Sequence, residues 1–284
     1  MSSRLDSKWG EPGPTHDPEI LANFVARPTD VLITTTPKAG TTWLSQILHQ
    51  LRTGGDADYF SIEQVVPWLE LPRPVISVAE RLAAYEAIAD PRIFKTHCTY
   101  DQTPGVDTAR IILSSRDPRD CFVSYYHHSM DMTAETRRRI GLRRYRDVDD
   151  VFEDWLRQAS WYRNVQGWWP HINDGNLLWL RYEDMKQDLP GSIDRIITFL
   201  GWNIGAVQRQ TAIEYSSFEW MKQHAEKFTR QLSSKVPVFK PGGFIRKGEV
   251  GGYKNELTQG QEQRILTKAR EWLEPDCLEF LGLD

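Results

Sequence analysis

Four short runs of apolar residues punctuate the chain: DVLITT at residues 30–35, RIFKT at 92–96, ARIILSS at 109–115 and NLLWLR at 176–181. None carries the apolar–polar alternation of a half-exposed strand, so each predicts a strand buried on both faces. Between and after them, apolar residues recur every three or four positions in WLSQILHQL (43–51), CFVSYYHHSM (121–130) and residues 150–169, 190–202 and 258–273. That spacing predicts helices with one apolar face. Short buried strands alternating with helices imply an α/β fold, a central parallel sheet flanked by helices. No repeat, low-complexity tract or long Gly/Ser/Pro linker interrupts residues 1–284, so a single domain is expected, with residues 1–20 a loosely ordered N-terminal segment.

In such sheets ligands gather at the carboxyl ends of the strands. The first run ends in PKAGTT (37–42). Pro37 and Gly40 make the turn, and Gly40 lets a ligand approach the backbone. A helix starting near Thr41 offers free N–H groups and the positive end of its dipole. With Lys38, Thr41 and Thr42, this is an anion cradle for a phosphate-like group. It is not a Walker A loop, because GxxxxGK[ST] is absent and the lysine precedes the glycine. The third run leads into RDPRDCFVSYYHH (116–128), which places Arg116 at a strand end and Ser124 in the next helix. A guanidinium and a hydroxyl there suit a second phosphate. Residues 239–258 surround Arg246 and Lys247 with five glycines, a flexible basic loop able to close over a polyanion.

Charge changes this picture. Lys plus Arg number 35 against 39 Asp plus Glu, a net −4, which speaks against a general nucleic-acid or membrane binder. Local basic patches remain compatible with that sum. One such place is the run holding Arg137, Arg138, Arg139, Arg143, Arg144 and Arg146, either a solvated face or a lid that recruits an anionic ligand. Cys98, Cys121 and Cys277 are odd in number and widely spaced, predicting neither a disulfide framework nor a zinc site. The first twenty residues hold no apolar signal core, and no stretch approaches the ~18 apolar residues of a membrane span. A soluble, cytoplasmic protein is expected.

Taken together, PKAGTTW, RDPRDCFVSYYHH and FIRKGEVGGYK (244–254) resemble the three signature regions of the cytosolic sulfotransferase family. That family moves a sulfuryl group from 3′-phosphoadenosine-5′-phosphosulfate to an acceptor. The likeness continues in the family's order through VVPWLELP, RIFKTH, SWYRNVQGWW and LRYEDMK. It implies one sulfotransferase domain with a P-loop-kinase-like fold.

By this resemblance Lys38, Ala39, Gly40, Thr41, Thr42 and Trp43 bind the 5′-phosphosulfate, with Thr35 beside them. Arg116 and Ser124 hold the 3′-phosphate, and Phe244, Ile245, Arg246, Lys247 and Gly248 complete that site. Trp43 and Phe218 sandwich the adenine, Tyr182 and Ser216 hydrogen-bond it, and Met221 belongs to the same site. His97 matches the general base, a role suited to a group with a reference pKa near 6.5. Lys38 and Lys95 match catalytic cations that stabilise charge on the transferring group and the departing phosphate oxygen. No metal is implied. Trp68, Leu71, Tyr126 and Phe244 are expected to line an apolar pocket for the hydroxyl of a small molecule or glycolipid.

Ala39 stands where many members have serine, and Gly252-Tyr253 where Asp-Trp is usual. Gln259 and Gln263 depart from the family's dimerisation segment, so any homodimer is expected to use a different interface. Two rivals are weighed. A P-loop-type kinase using ATP needs a lysine after the glycine and an acidic magnesium ligand, neither of which is apparent. A non-catalytic nucleotide-binding sensor has no need to keep both His97 and Lys95.

Overall fold

Four parallel strands, β1 (Val31–Thr35), β2 (Ile93–Thr96), β3 (Arg110–Ser115) and β4 (Leu177–Arg181), form a sheet in the order β2-β1-β3-β4. Each starts one residue after the predicted run and ends where the run ends. The computed structural model describes residues 7–139, 141, 143–229, 231–233, 236–240 and 243–284. The helices before β3 are α1 (Pro18–Asn23), α2 (Thr41–Thr53), α3 (Ile62–Val65) and α4 (Val78–Glu86). Between β3 and β4 lie α5 (Pro118–Asp131), α6 (Ala134–Arg139), α7 (Val148–Gln158) and α8 (Ser160–Trp168). After β4 come α9 (Tyr182–Gln187), α10 (Leu189–Leu200), α11 (Ala206–Tyr215), α12 (Phe218–Gln223), α13 (Gln259–Trp272) and α14 (Pro275–Leu281).

Alternate strand residues face opposite layers. Leu32, Phe94, Ile111 and Leu113 pack with Phe152 and Trp155 of α7 and Trp161 and Trp168 of α8. Val31, Ile33, Ile93 and Ile112 pack with Leu44, Ile47 and Leu51 of α2 and Ile193 and Ile196 of α10. Burial on both faces is why the strands read as unbroken apolar runs. Asp30, just before β1, is fully buried and is gripped by Arg92, whose Nε and Nη2 donate to its two oxygens at 2.8 and 2.6 Å. From β1 the chain passes to β2 on one side and then to β3 on the other. The crevice at their carboxyl ends is therefore a topological switch point, where ligands bind in open α/β sheets.

Two expectations change. The helical pattern at 150–169 is not one helix: Ala159 adopts φ 50°, ends α7 and starts α8. The break turns α8 so that Trp161 Nε1 donates to the Arg116 carbonyl at 3.0 Å. Within the segment expected to be loose, residues 1–6 lie outside the described ones, and contacts to the rest of the fold begin at Trp9. His16 Nε2 contacts the Trp9 carbonyl at 2.6 Å, Asp17 pairs with Arg81 at 2.6 Å, and Ile20 and Leu21 are buried. Cys98, Cys121 and Cys277 are free and buried. Among the described residues no helix is long and apolar enough to cross a membrane.

Candidate active site

At the carboxyl ends of β1, β2 and β3 the chain encloses a cavity of about 780 Å³. Its floor is the turn between β1 and α2. Lys38 (φ 75°) and Gly40 (φ 97°) are left-handed there, and Gly40 caps α2 without any side-chain bond, so the first N–H groups of the helix stay open. The turn is fixed from behind: Ser114 Oγ bonds the Ala39 carbonyl, and the Thr35 and Thr41 hydroxyls bond each other. A Cβ at Gly40 would stand 3.1 Å from Tyr182 Cδ2. Only hydrogen fits.

His97 follows β2. Its Nδ1 lies 2.8 Å from the Thr35 carbonyl. A carbonyl can only accept, so Nδ1 carries the proton and Nε2 keeps its lone pair. Burial, against an opposing pull from Glu70, lowers the imidazole below its ordinary 6.5, with Lys95 and Lys38 adding to the fall. The ring is therefore neutral at pH 7. Glu70 Oε1 accepts the His97 backbone N–H at 2.8 Å. Trp68 stands edge-on to the His97 ring, 4.9 Å between centroids, because residues 67–69 run alongside Lys95 through two backbone bonds of 2.9 Å. Lys95 Nζ donates to Glu63 at 3.2 Å.

Lys38 Nζ lies 3.1 Å from His128 Nδ1. Burial first, then the Arg116 charge, brings the Lys38 pKa from 10.5 to about 8. Burial and Lys38 in turn hold His128 well below 6.5, so a neutral His128 accepts from the ammonium.

On the other side of the cradle, Arg116 lies 4.4 Å over the Tyr182 ring. It donates to the carbonyls of Lys38 at 3.4 Å and Glu249 at 2.7 Å. Residues 246–253, expected to be flexible, are tied down. Asp120 accepts from the N–H groups of Gly251 at 2.8 Å and Tyr253 at 3.1 Å, and Arg246 pairs with Glu256 at 3.2 Å. Gly248 (φ 60°) passes so close to Phe218 that a Cβ would sit 2.8 Å from its ring. Trp43 Nε1 donates to the Ser216 carbonyl at 2.7 Å, fixing the indole plane.

The family described as Sulfotransferase domain matches residues 28–274. The chain belongs to the sulfotransferase family. It is 33% identical over 277 residues to Cytosolic sulfotransferase 1 of Danio rerio, covering 94% of this chain and 90% of that one. It is 29% identical over 270 residues to Sulfotransferase 1C2 of Homo sapiens, covering 92% and 88%. Among solved structures, the mouse sulfotransferase SULT7A1 complexed with PAP superposes with a TM-score of 0.73 at 24% identity, covering 93% of this chain and 91% of that one. Retinol dehydratase in complex with androsterone and inactive cofactor PAP superposes with a TM-score of 0.69 at 24% identity, covering 91% and 83%. The shared fold is the P-loop-kinase-like arrangement of a parallel sheet between helices.

The sulfotransferase residues expected from sequence converge on the one cavity. Lys38, the 40–43 turn, Lys95, His97, Arg116, Ser124, Tyr182, Phe218, Met221 and residues 244–248 all line it. Thr35, Ala39 and Ser216 are buried directly behind, at 0% exposure. Trp68 is on the wall, whereas Leu71 and Tyr126 are not among its lining residues and Tyr125 is. Arg116 Nε, Ser216 Oγ and Trp68 Nε1 are buried without a protein hydrogen-bond partner among the described residues. His128, Glu70, Ser114 and Asp120 were not singled out from sequence. His128 had a signal: it follows Ser124 by four residues and so shares its face of α5.

Proposed function

We propose that this sulfotransferase uses 3′-phosphoadenosine-5′-phosphosulfate as donor and a hydroxyl of a small molecule as acceptor, with His97 as general base. The observation that carries the reading is Thr35. Its carbonyl fixes the His97 tautomer and its hydroxyl bonds the first residue of α2. The base and the anion cradle are thereby both tied to a single residue. The PAP complexes of the structural neighbours support the donor, and the androsterone complex supports a small acceptor. The name of the Danio rerio relative supports a cytosolic enzyme.

The residues present fit the donor. Open N–H groups of α2 with Lys38 match the 5′ end, and Arg116, Ser124 and residues 246–248 match the 3′-phosphate. Trp43 and Phe218 offer faces to a flat base, and Ser216 Oγ is a partnerless polar group next to them. The donor supplies a sulfur atom joined to a phosphate oxygen. As the acceptor oxygen bonds to sulfur, His97 Nε2 takes its proton. The old sulfur–oxygen bond breaks and its electron pair leaves on the phosphate oxygen, where Lys38 and the helix N-terminus stabilise the charge.

Thermal stabilisation by adenosine 3′,5′-bisphosphate is compared with that by ATP and magnesium, followed by sulfate transfer from radiolabelled donor to a panel of phenols and alcohols. The bisphosphate is expected to stabilise and transfer to be seen. Preference for ATP would favour a kinase, and tight bisphosphate binding with no transfer to any acceptor a sensor.

A further inference from the structure

The acceptor end of the cavity has its own chemistry. Met132, Val238 and Phe239 form a small apolar cluster with Phe244 packed against it, and the His128 ring rests 4.6 Å from Phe239. Arg137, from α6, lines the same cavity. The neighbouring arginines on that wall are already paired. Arg143 bonds Asp150 and Asp154, and Arg157 bonds Asp154. Asp154 is saturated, since Tyr145 and Gln158 also donate to it at 2.7 and 2.6 Å.

Arg137 differs. One nitrogen of its fork donates to the Arg143 carbonyl at 3.0 Å, and the guanidinium lies 5.8 Å from the Tyr145 ring. Among the described residues no carboxylate forms an ion pair with it. Partial burial accordingly lowers its pKa, as for a cation drawn from water without a counter-charge. Arg137 is also near enough to His128 for its charge to act on that ring. With His128 Nδ1 taken up by Lys38, the imidazole proton lies on Nε2, a second donor on the cavity wall.

We infer that Arg137, seconded by His128 Nε2–H, is an anion-reading subsite that selects hydroxylated acceptors whose apolar body ends in a carboxylate. The inference rests on the sulfotransferase reading above and names its acceptor class. A half-buried guanidinium without a carboxylate partner is costly until an anion arrives. Its planar fork matches a carboxylate in two parallel bonds. Arg137 is the arginine of that wall without a counter-charge among the described residues, which matches a monoanion rather than a dianion, and the apolar cluster suits the hydrocarbon between hydroxyl and acid.

The test uses three hydroxyaryl acids of increasing reach, 4-hydroxybenzoate, 4-hydroxyphenylacetate and 3-(4-hydroxyphenyl)propanoate, each beside its methyl ester. Steady-state transfer is measured at saturating donor. Binding to the protein loaded with adenosine 3′,5′-bisphosphate is measured by calorimetry. At least one acid is expected to exceed its ester about tenfold or more in kcat/KM, with an acid KM that rises with salt. Arg137→Gln collapses that ratio towards one, Arg137→Lys keeps part of it, and Arg138→Gln, at an exposed position of the same helix, leaves it in place. Thermal midpoints verify that each variant is folded. Equal use of acid and ester in all three pairs overturns the inference, as does a ratio unmoved by Arg137→Gln, including a parallel loss for both members of a pair. If nothing is sulfated yet the calorimetric preference for an acid depends on Arg137, the catalytic reading fails and the subsite stands.

Discussion

Replacing Lys38 by Met should stabilise the ligand-free protein at pH 7 while abolishing transfer. Lys38 has a pKa lowered from 10.5 to about 8, chiefly by burial and then by Arg116. The unfolded chain therefore holds a proton that the native state has lost between about pH 8 and 10.5, so lysine's contribution to stability rises with pH across that window and is at its worst below it. A fall of about 2.5 in pKa corresponds to about 3 kcal/mol, a ceiling because the cavity admits solvent to screen the charge. Methionine keeps a stem to pack on Phe244, over which the ammonium lies at 5.3 Å, and keeps whatever strain the left-handed backbone imposes on a side chain. It forfeits the bond to His128 Nδ1, about 1 kcal/mol. The balance is a gain of about 1–2 kcal/mol at pH 7, shrinking by up to about 2 kcal/mol at pH 9.5. Urea unfolding of both proteins at the two pH values measures it. A variant less stable at pH 7, or a difference identical at both pH values, would refute the claim that Lys38 is held against its own solvation.

His97→Asn keeps a donor for the Thr35 carbonyl but loses the Nε2 lone pair; kcat should fall about 10²–10⁴-fold with bisphosphate affinity unchanged, and a fall under about tenfold would remove His97 as base. The wild-type rate should climb with pH through a value below 6.5 and be level by pH 7, since burial lowers the His97 pKa. Gly248→Ala forces a Cβ to 2.8 Å from the Phe218 ring at φ 60°, strain of about 1–3 kcal/mol, so calorimetry should find bisphosphate binding weakened about tenfold or more. Arg92→Met strands the buried Asp30 charge and should cost about 3–5 kcal/mol in urea unfolding; a loss under about 1 kcal/mol would mean that Asp30 finds another partner.

The strands were legible because a parallel sheet covered on both faces leaves no polar positions to interrupt its apolar runs. The cradle was legible because a turn before a helix needs glycine and exposes backbone donors whatever the rest of the fold. Ala159 was not. Periodicity runs on through it, and alanine carries no signal for a left-handed backbone. Helix α4 was overlooked although Ser77 and Glu80 form a capping box at its start. The roles of Asp120, His128 and Arg137 depend on what faces them across the cavity, and local pattern does not encode that. The basic run illustrates the limit: sequence gives six similar arginines, and only the packing of α7 shows that Asp150 and Asp154 take up Arg143, and Asp150 also Arg146, while Arg137 lines the cavity without a carboxylate partner among the described residues.

The proposed donor grip would join Lys38 to Arg246, about two hundred residues later, with Asp120 stitching the later loop to the helix after β3. On that reading, a ribosome-bound chain short of the later loop would lack the Arg246 side of the grip and so would hold nucleotide more weakly than the finished protein. Ligand affinity in this molecule would consequently be a report on completion: a chain that binds the nucleotide at full strength has already brought its far segments together.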